Sequence, residues 1–139
     1  ACYMHDFGMA FMPISVLHKQ QKLEEVEFNL MRSHVYKSAR LLENLNLWNE
    51  ARKIVMQHHE RIDGSGYPLG IQEDDICEGA KLLAILDTFD AITHARAHQA
   101  HLKRPKKKAV IEINRIAKGQ FSSTWMQAFN KGMASLLTN

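Results

Sequence analysis

Histidines and aspartates occupy several positions of this chain where the spacing calls for apolar core residues. Eight histidines among 139 residues is a high number, and histidine is the commonest metal ligand in proteins. An ionisable side chain is costly to bury without a partner. A single residue of this kind is usually hydrogen-bonded within the core. When several occur together, metal cations shared among them would satisfy all of their lone pairs and charges. The residues concerned are His34, His58, His59, Asp87 and Asp90, with the adjacent pair His5 and Asp6.

The types of side chain restrict the metal. Imidazoles and carboxylates without thiolates suit iron, manganese or zinc and do not suit an iron–sulfur cluster. Neighbouring residues on a helix point about 100° apart, so we expect His58 and His59 to serve two neighbouring ions, which a carboxylate such as Asp6 would bridge. Paired metals are a usual device for hydrolysing phosphate esters, because they activate water and stabilise the attacked and leaving oxygens.

The pattern along the chain predicts helices only, hence an all-α bundle. Apolar residues recur at helical spacing over about 22–45, with a kink or break possible near His34, and a first helix is expected to end near Gly8. Asn49 suits the N-cap of a helix that runs to His58 and His59 and stops at the glycine loop 63–66. Further helices are expected over about 76–101 and 110–117, and from Ser122 or Ser123 onward.

Length and composition indicate one globular domain. The chain has 45% apolar and 24% charged residues, which excludes a disordered, collagenous or disulfide-stapled protein. Cys2 and Cys77 form no CxxC motif, and we expect a reducing, cytoplasmic compartment. A net charge of +3 and the lack of a long apolar segment predict neither a nucleic-acid partner nor membrane contact.

The beginning of the chain resembles no secretory signal. It lacks an initiator methionine and opens within an apolar pattern. We therefore expect residues 1–139 to form one domain that is the C-terminal part of a larger protein, with the preceding helices absent from this chain.

Two motifs resemble the signatures of a known family. His5-Asp6 resembles the HD pair of the HD-domain metal-dependent phosphohydrolases, and residues 58–68, HHERIDGSGYP, resemble the HHExxDGxGYP signature of the HD-GYP subfamily. Residues 84–92 are similar to a third block of that family, and His34 occupies the place of its intervening histidine. The resemblance implies an all-helical HD-type bundle that hydrolyses cyclic di-GMP at a bi- or trinuclear centre, with iron or manganese as the expected metal and zinc or another divalent ion as the alternative.

The same resemblance implies roles for individual residues. Asp6 resembles the bridging carboxylate at the catalytic centre. Tyr67 and Gly66 belong to the loop that borders the substrate pocket in relatives, and Arg96 matches an arginine that contacts a substrate phosphate, for which a guanidinium fork is well suited. Relatives usually carry sensor or receiver domains, so regulatory or diguanylate cyclase-type protein partners are also expected. The implied metal ligands are His5, Asp6, His34, His58, His59 and Asp87.

Two positions depart from the family pattern. Met9 stands where the family usually has a lysine, three residues after the aspartate, and Gln99 stands where it often has a basic residue. A thioether cannot supply positive charge to a phosphate, and losing one such contact costs roughly 10²–10³ in rate in other enzymes. Reduced or lost turnover is therefore an expectation for this chain.

Three functions remain open at this point. The first is a cyclic di-GMP phosphodiesterase that yields linear pGpG and then GMP. The second is a domain that binds metal, cyclic di-GMP or both as a receptor or interaction module without turnover, and the third is an HD hydrolase of another phosphate ester. We expect Asp90 to orient a ligating histidine or to accept a hydrogen bond from a helix end. Glu60 is expected to orient the histidine pair, to bond the glycine loop or to occupy a solvated helix position.

Overall fold

The described part of the structure, a computed structural model, covers residues 1–43, 48–94 and 106–138. Arg96 and Gln99 lie outside these residues, so the roles expected of them have no structural counterpart here. The described residues contain helices and turns, with a single isolated β-bridge between Asp63 and Gln72. The predicted all-α fold is therefore confirmed.

Seven α-helices and two short 3₁₀ helices make up this part of the chain. The 3₁₀ helices cover Phe7–Phe11 and Glu73–Asp75. The α-helices are α1 (Ile14–Leu17), α2 (Glu25–Arg32), α3 (His34–Glu43), α4 (Asn49–Gln57), α5 (Glu78–Thr93), α6 (Lys106–Ile116) and α7 (Ser123–Thr138).

Two apolar clusters hold the helices together. One joins α5, α6 and α7 through side chains that include Ile85, Ile113 and Phe129. The other joins α3 and α4 through Leu42 and Val55. Helix α5 also packs against α4, so the ends of α3, α4 and α5 are held in fixed relation to one another, as burial of their apolar faces requires.

The break expected near His34 is present. Helix α2 ends at Arg32, and the Ser33 N–H and hydroxyl both bond back to carbonyls of α2, the hydroxyl to Leu30 at 2.6 Å. A serine hydroxyl that satisfies the preceding carbonyl competes with continuation of the helix. Helix α3 then begins at His34, which places this histidine at a helix start instead of mid-helix.

Several predicted boundaries are wrong. The N-cap of α4 is Trp48 and not Asn49, because the Arg52 N–H bonds the Trp48 carbonyl at 2.8 Å and closes the first turn one residue earlier. The segment around Gly8 is a 3₁₀ helix that follows a series of turns, not the end of an α-helix. Helix α5 does not continue through His94, whose backbone is extended.

Candidate metal and phosphodiester site

The His5-Asp6 pair is held against the start of α3 by the glycine that follows it. Gly8 is buried, and its N–H donates a 2.7 Å hydrogen bond to the Ser38 hydroxyl. A Cβ on Gly8 would overlap the backbone of His34. The absence of a side chain at this position therefore permits the approach that brings Asp6 next to His34.

The three histidines at positions 5, 34 and 58 share one local arrangement. Each Nδ1 lies against the backbone carbonyl three residues earlier, at 2.7 Å from Cys2, 2.7 Å from Met31 and 2.6 Å from Val55 respectively. A carbonyl can only accept a hydrogen bond, so each Nδ1 must carry the proton. In the neutral imidazole the lone pair is then on Nε2. This is the orientation that a ligating histidine needs.

His58 and His59 converge on one place, contrary to the expectation that they diverge toward separate ions. Helix α4 ends at Gln57 and His58 is its C-cap residue, so the pair lies at the helix end and not within the helix. Their ring centroids are 4.0 Å apart with an interplanar angle of 39°. Both belong to a group with Asp6 and His34 whose potential ligand atoms all lie within 4.8 Å of one another.

Asp6 belongs to two groups of potential ligands. Its Oδ1 lies 3.3 Å from His34 Nε2 and 3.8 Å from His58 Nε2. Its Oδ2 lies 3.6 Å from His5 Nε2, and that nitrogen is 3.4 Å from Asp87 Oδ1. His5, Asp6 and Asp87 form the second group. All six residues implied as ligands are thus brought together, with one carboxylate oxygen of Asp6 directed to each group.

The donor set suits divalent metal ions. The Nε2 atoms of His34 and His58 are buried and have no hydrogen-bond partner among the described residues, although burial without a partner is costly. Both nitrogens face a carboxylate oxygen of Asp6, and such a contact is favourable only with a proton or a metal cation between nitrogen and oxygen. Imidazole and carboxylate donors suit iron, manganese and zinc, so this is a possible metal-binding cluster whose metal is open.

The pKa values of the cluster reflect the same crowding. Partial burial of the Asp6 carboxyl opposes its ionisation, but the approach of His34, His58 and His5 outweighs burial and holds its pKa well below the usual range. Burial, reinforced by the neighbouring imidazoles, lowers the pKa of His59 to about 3. At neutral pH the cluster therefore presents an ionised carboxylate and a neutral His59, the states in which both bind metal.

Nε2 of His5 faces two aspartates, Asp87 at 3.4 Å and Asp6 at 3.6 Å. The hydrogen bond to Asp87 raises the pKa of His5, despite the opposing effect of burial. A second proton on His5 occupies the place that a cation would take between this imidazole and the two aspartates.

The loop after the histidine pair is braced by Glu60, which is only 4% exposed. Its carboxylate accepts the Leu69 N–H at 2.6 Å and the Ile71 N–H at 3.3 Å. These bonds go to the segment 69–71, beyond the glycine loop 63–66 to which a bond was expected. A Cβ on Gly66 would overlap the backbone of Glu60 and Arg61, so a glycine there lets the loop fold back over the helix end.

This folding places Tyr67 over His59. The Tyr67 N–H donates to the His59 carbonyl at 3.2 Å, and the two rings are stacked with centroids 4.7 Å apart. Burial raises the pKa of the Tyr67 phenol, so the hydroxyl keeps its proton and can donate it to an acceptor. The Tyr67–Pro68 peptide bond is cis.

A cavity of about 310 Å³ opens beside the cluster. Its lining includes His58, His59, Gly66 and Tyr67, together with Phe28 and Arg32 of α2. The sequence alone predicts neither of the last two residues. A signal was present for Arg32, because the positions three and four residues away hold Phe28, Asn29, Val35 and Tyr36, none of which is acidic.

Asp90 lies away from the cluster. Its Oδ1 is 2.9 Å from His94 Nδ1, and both side chains are largely exposed. The role expected of Asp90, orienting a ligating histidine, is instead filled by the backbone carbonyls of Cys2, Met31 and Val55.

Comparison with known proteins agrees with the motifs and the geometry. The family model described as "HD domain" matches residues 1–121. The chain is 38% identical over 119 residues to a probable cyclic di-GMP phosphodiesterase of Vibrio cholerae, covering 80% of this chain and 27% of the relative. It is 36% identical over 138 residues to a cyclic di-GMP phosphodiesterase of Pseudomonas aeruginosa, covering 94% and 31%.

A 3'3'-cGAMP-specific phosphodiesterase of Vibrio cholerae is also similar, at 39% identity over 98 residues, or 69% of this chain and 19% of the relative. With its paired signatures and its helical fold, the chain belongs to the HD domain family, in the HD-GYP group. It spans between about a fifth and a third of the length of these curated relatives. Within the described residues, no helix is long and apolar enough to cross a membrane.

Proposed function

We propose that this chain is a metal-dependent phosphodiesterase domain that hydrolyses cyclic di-GMP to linear pGpG and then to GMP. The observation that supports this most strongly is the double role of Asp6, whose two oxygens face two separate groups of potential ligands beside a cavity. Two curated relatives bear the name cyclic di-GMP phosphodiesterase, which supports the choice of substrate. The cGAMP-specific relative makes that dinucleotide the first alternative to test.

The six clustered residues would bind metal as two groups that share Asp6. His34, His58 and His59 would hold one ion, His5 and Asp87 a second, and Asp6 both. Iron or manganese is the preferred metal, with zinc or another divalent ion as the alternative. Bound there, such ions supply an activated water and stabilise charge on phosphate oxygens.

The remaining site residues shape the substrate pocket. The protonated Tyr67 hydroxyl is available to donate a hydrogen bond to a substrate oxygen, while its ring is fixed by His59. Gly66 allows the loop to reach this position. Arg96, outside the described residues, remains the predicted phosphate contact.

Two further parts of the proposal concern the compartment of the protein and its partners. We place the domain in the cytoplasm, and its two cysteines are free thiols, as a reducing compartment favours. Regulatory or diguanylate cyclase-type protein partners remain a prediction from the sequence.

The test is direct. Protein loaded anaerobically with ferrous iron or with manganese is incubated with cyclic di-GMP and, separately, with 3'3'-cGAMP, and products are separated by chromatography. We expect linear pGpG from cyclic di-GMP, and none from the Asp6→Ala variant. Absence of any linear product at high enzyme concentration, with metal confirmed by elemental analysis, would contradict the proposal.

A receptor without turnover is the second candidate, and Met9 is the observation that favours it. Where the family usually has a lysine, this chain offers no charge at that position. Tight binding of cyclic di-GMP to the metal-loaded protein in calorimetry, without hydrolysis, would favour the receptor over the enzyme.

A further inference from the structure

Arg32 occupies an unusual place for an arginine. It is the last residue of α2, two positions before His34, and it lines the cavity together with His58 and His59. Its Nε is buried without a hydrogen-bond partner. No carboxylate of the described residues lies within ion-pair distance of its guanidinium, whereas Arg52 and Arg115 are paired with Glu43 and Glu112.

Two aromatic rings hold the guanidinium. Its central carbon lies 4.3 Å from the centroid of the Phe28 ring and 5.0 Å from that of Tyr67. Cation–π contacts of this kind stabilise a positive charge without neutralising it. The guanidinium is thereby oriented, and its N–H donors remain available to a ligand.

The surroundings indicate which ligand these donors suit. Among the described residues, Glu60 is the only acidic side chain that lines the cavity, and its carboxylate is engaged by the Leu69 and Ile71 N–H groups. Arg61 lines the same cavity but already donates to Gln120 Oε1 at 2.7 Å. A cation with a free planar fork, beside a possible metal cluster, matches two oxygens of a phosphate group.

We propose that Arg32 is a substrate-binding residue whose guanidinium binds a phosphate group of the substrate in this cavity. The proposal rests on the proposed function for the identity of the substrate. It assigns binding to a residue on α2, a helix that contributes none of the implied metal ligands.

The test uses manganese-loaded protein and GMP, the final expected product, in calorimetry at 50 and 200 mM salt, salt levels that bracket the usual range of about 0.1–0.15 M. For Arg32→Gln we expect GMP affinity to fall about 10- to 100-fold, the usual effect of losing a charge-assisted hydrogen bond. The dependence of affinity on salt should also become shallower, because one contact between charges is lost. Arg32→Lys should retain much of the salt dependence with part of the affinity, since it keeps the charge but loses the fork.

Arg61→Gln is the matched control, because it removes an arginine of the same cavity that already has a partner. We expect its GMP affinity to stay within about twofold of wild type, the effect of an exposed polar contact being small. Equal losses in both variants would overturn the assignment. So would an unchanged affinity in Arg32→Gln, a loss with unchanged salt dependence, or no binding of GMP by the wild-type protein at millimolar concentration.

Parallel measurements separate this proposal from the proposed function. Manganese content should be the same in wild type, Arg32→Gln and Arg61→Gln. If cyclic di-GMP is hydrolysed while Arg32→Gln binds GMP normally, only the role of Arg32 fails. If Arg32→Gln loses affinity while no variant hydrolyses cyclic di-GMP, the role of Arg32 holds and only the catalytic proposal fails.

Discussion

Asp6 is the residue on which the two ligand groups depend, since one of its oxygens faces each of them. His34 belongs to one group only. We therefore expect Asp6→Ala to weaken manganese binding at both positions and His34→Ala to weaken it at one. Elemental analysis after equilibration with limiting manganese measures the difference.

His94→Ala is a suitable control for these variants, because His94 is exposed and paired with Asp90 outside the cluster. Its manganese content should equal that of the wild type. Equal manganese loss in Asp6→Ala and His34→Ala would contradict the shared role of Asp6.

Met9 leads to a second prediction at the scale of the residue. If the family lysine supplies charge to a phosphate, Met9→Lys should raise the rate of cyclic di-GMP hydrolysis, by up to about 10²–10³. Met9→Leu keeps an apolar side chain of similar size and should leave the rate unchanged. The measurement is the initial rate at saturating substrate, and a lysine variant no faster than the leucine variant would refute this interpretation of position 9.

Among the elements, the loop after α4 has the strictest steric requirement. A Cβ on Gly66 would meet the backbone of Glu60 and Arg61, which cannot move aside as a flexible side chain can. We expect Gly66→Ala to displace Tyr67 from His59, to lower the melting temperature and to reduce turnover. Thermal unfolding and hydrolysis rates measure both effects.

Gly132 provides the matched control for this substitution. It lies in α7, and a Cβ there would meet no atom within 4 Å. Gly132→Ala should stabilise the protein by about 0.5–1 kcal/mol through helix propensity alone. Similar destabilisation by both substitutions would show that Gly66 has no special steric role.

The sequence predicted which helices form more accurately than it predicted where they begin and end. Helical spacing located the break at His34 and the helices that carry the site, because apolar periodicity reports which face is buried. It placed His58 and His59 on a helix and so separated them, since spacing alone does not show that both rings contribute to one group of potential ligands. It did not identify Arg32 as a cavity residue, because the contact with Tyr67 joins α2 to the loop after α4, although the i, i+4 spacing from Phe28 is visible in the sequence.

At the scale of the whole molecule, the site lies where α3, α4 and α5 meet, each packed through its own apolar side chains. Ions bound there would connect these helices to the segment 1–6. Ligands that bind only the folded state stabilise it, by about 4 kcal/mol at a thousand times the dissociation constant. For a domain of this size that corresponds to a rise of about 10 to 15 °C in melting temperature.

Metal removal is accordingly the fourth prediction. Protein treated with a chelator should melt at a lower temperature, and added manganese should restore the original value. The Asp6→Ala variant should show a much smaller difference between the two conditions. An identical melting temperature with and without metal would contradict a site that links the helices.

The bonds from the three Nδ1 atoms to carbonyls three residues earlier have a consequence for ion selection. Each ring is anchored to its own turn with Nε2 left as the ligand atom. Calcium prefers six to eight oxygen ligands, whereas these rings offer nitrogen. The cluster is therefore expected to select softer divalent ions such as iron, manganese or zinc over calcium, independently of any reaction that follows.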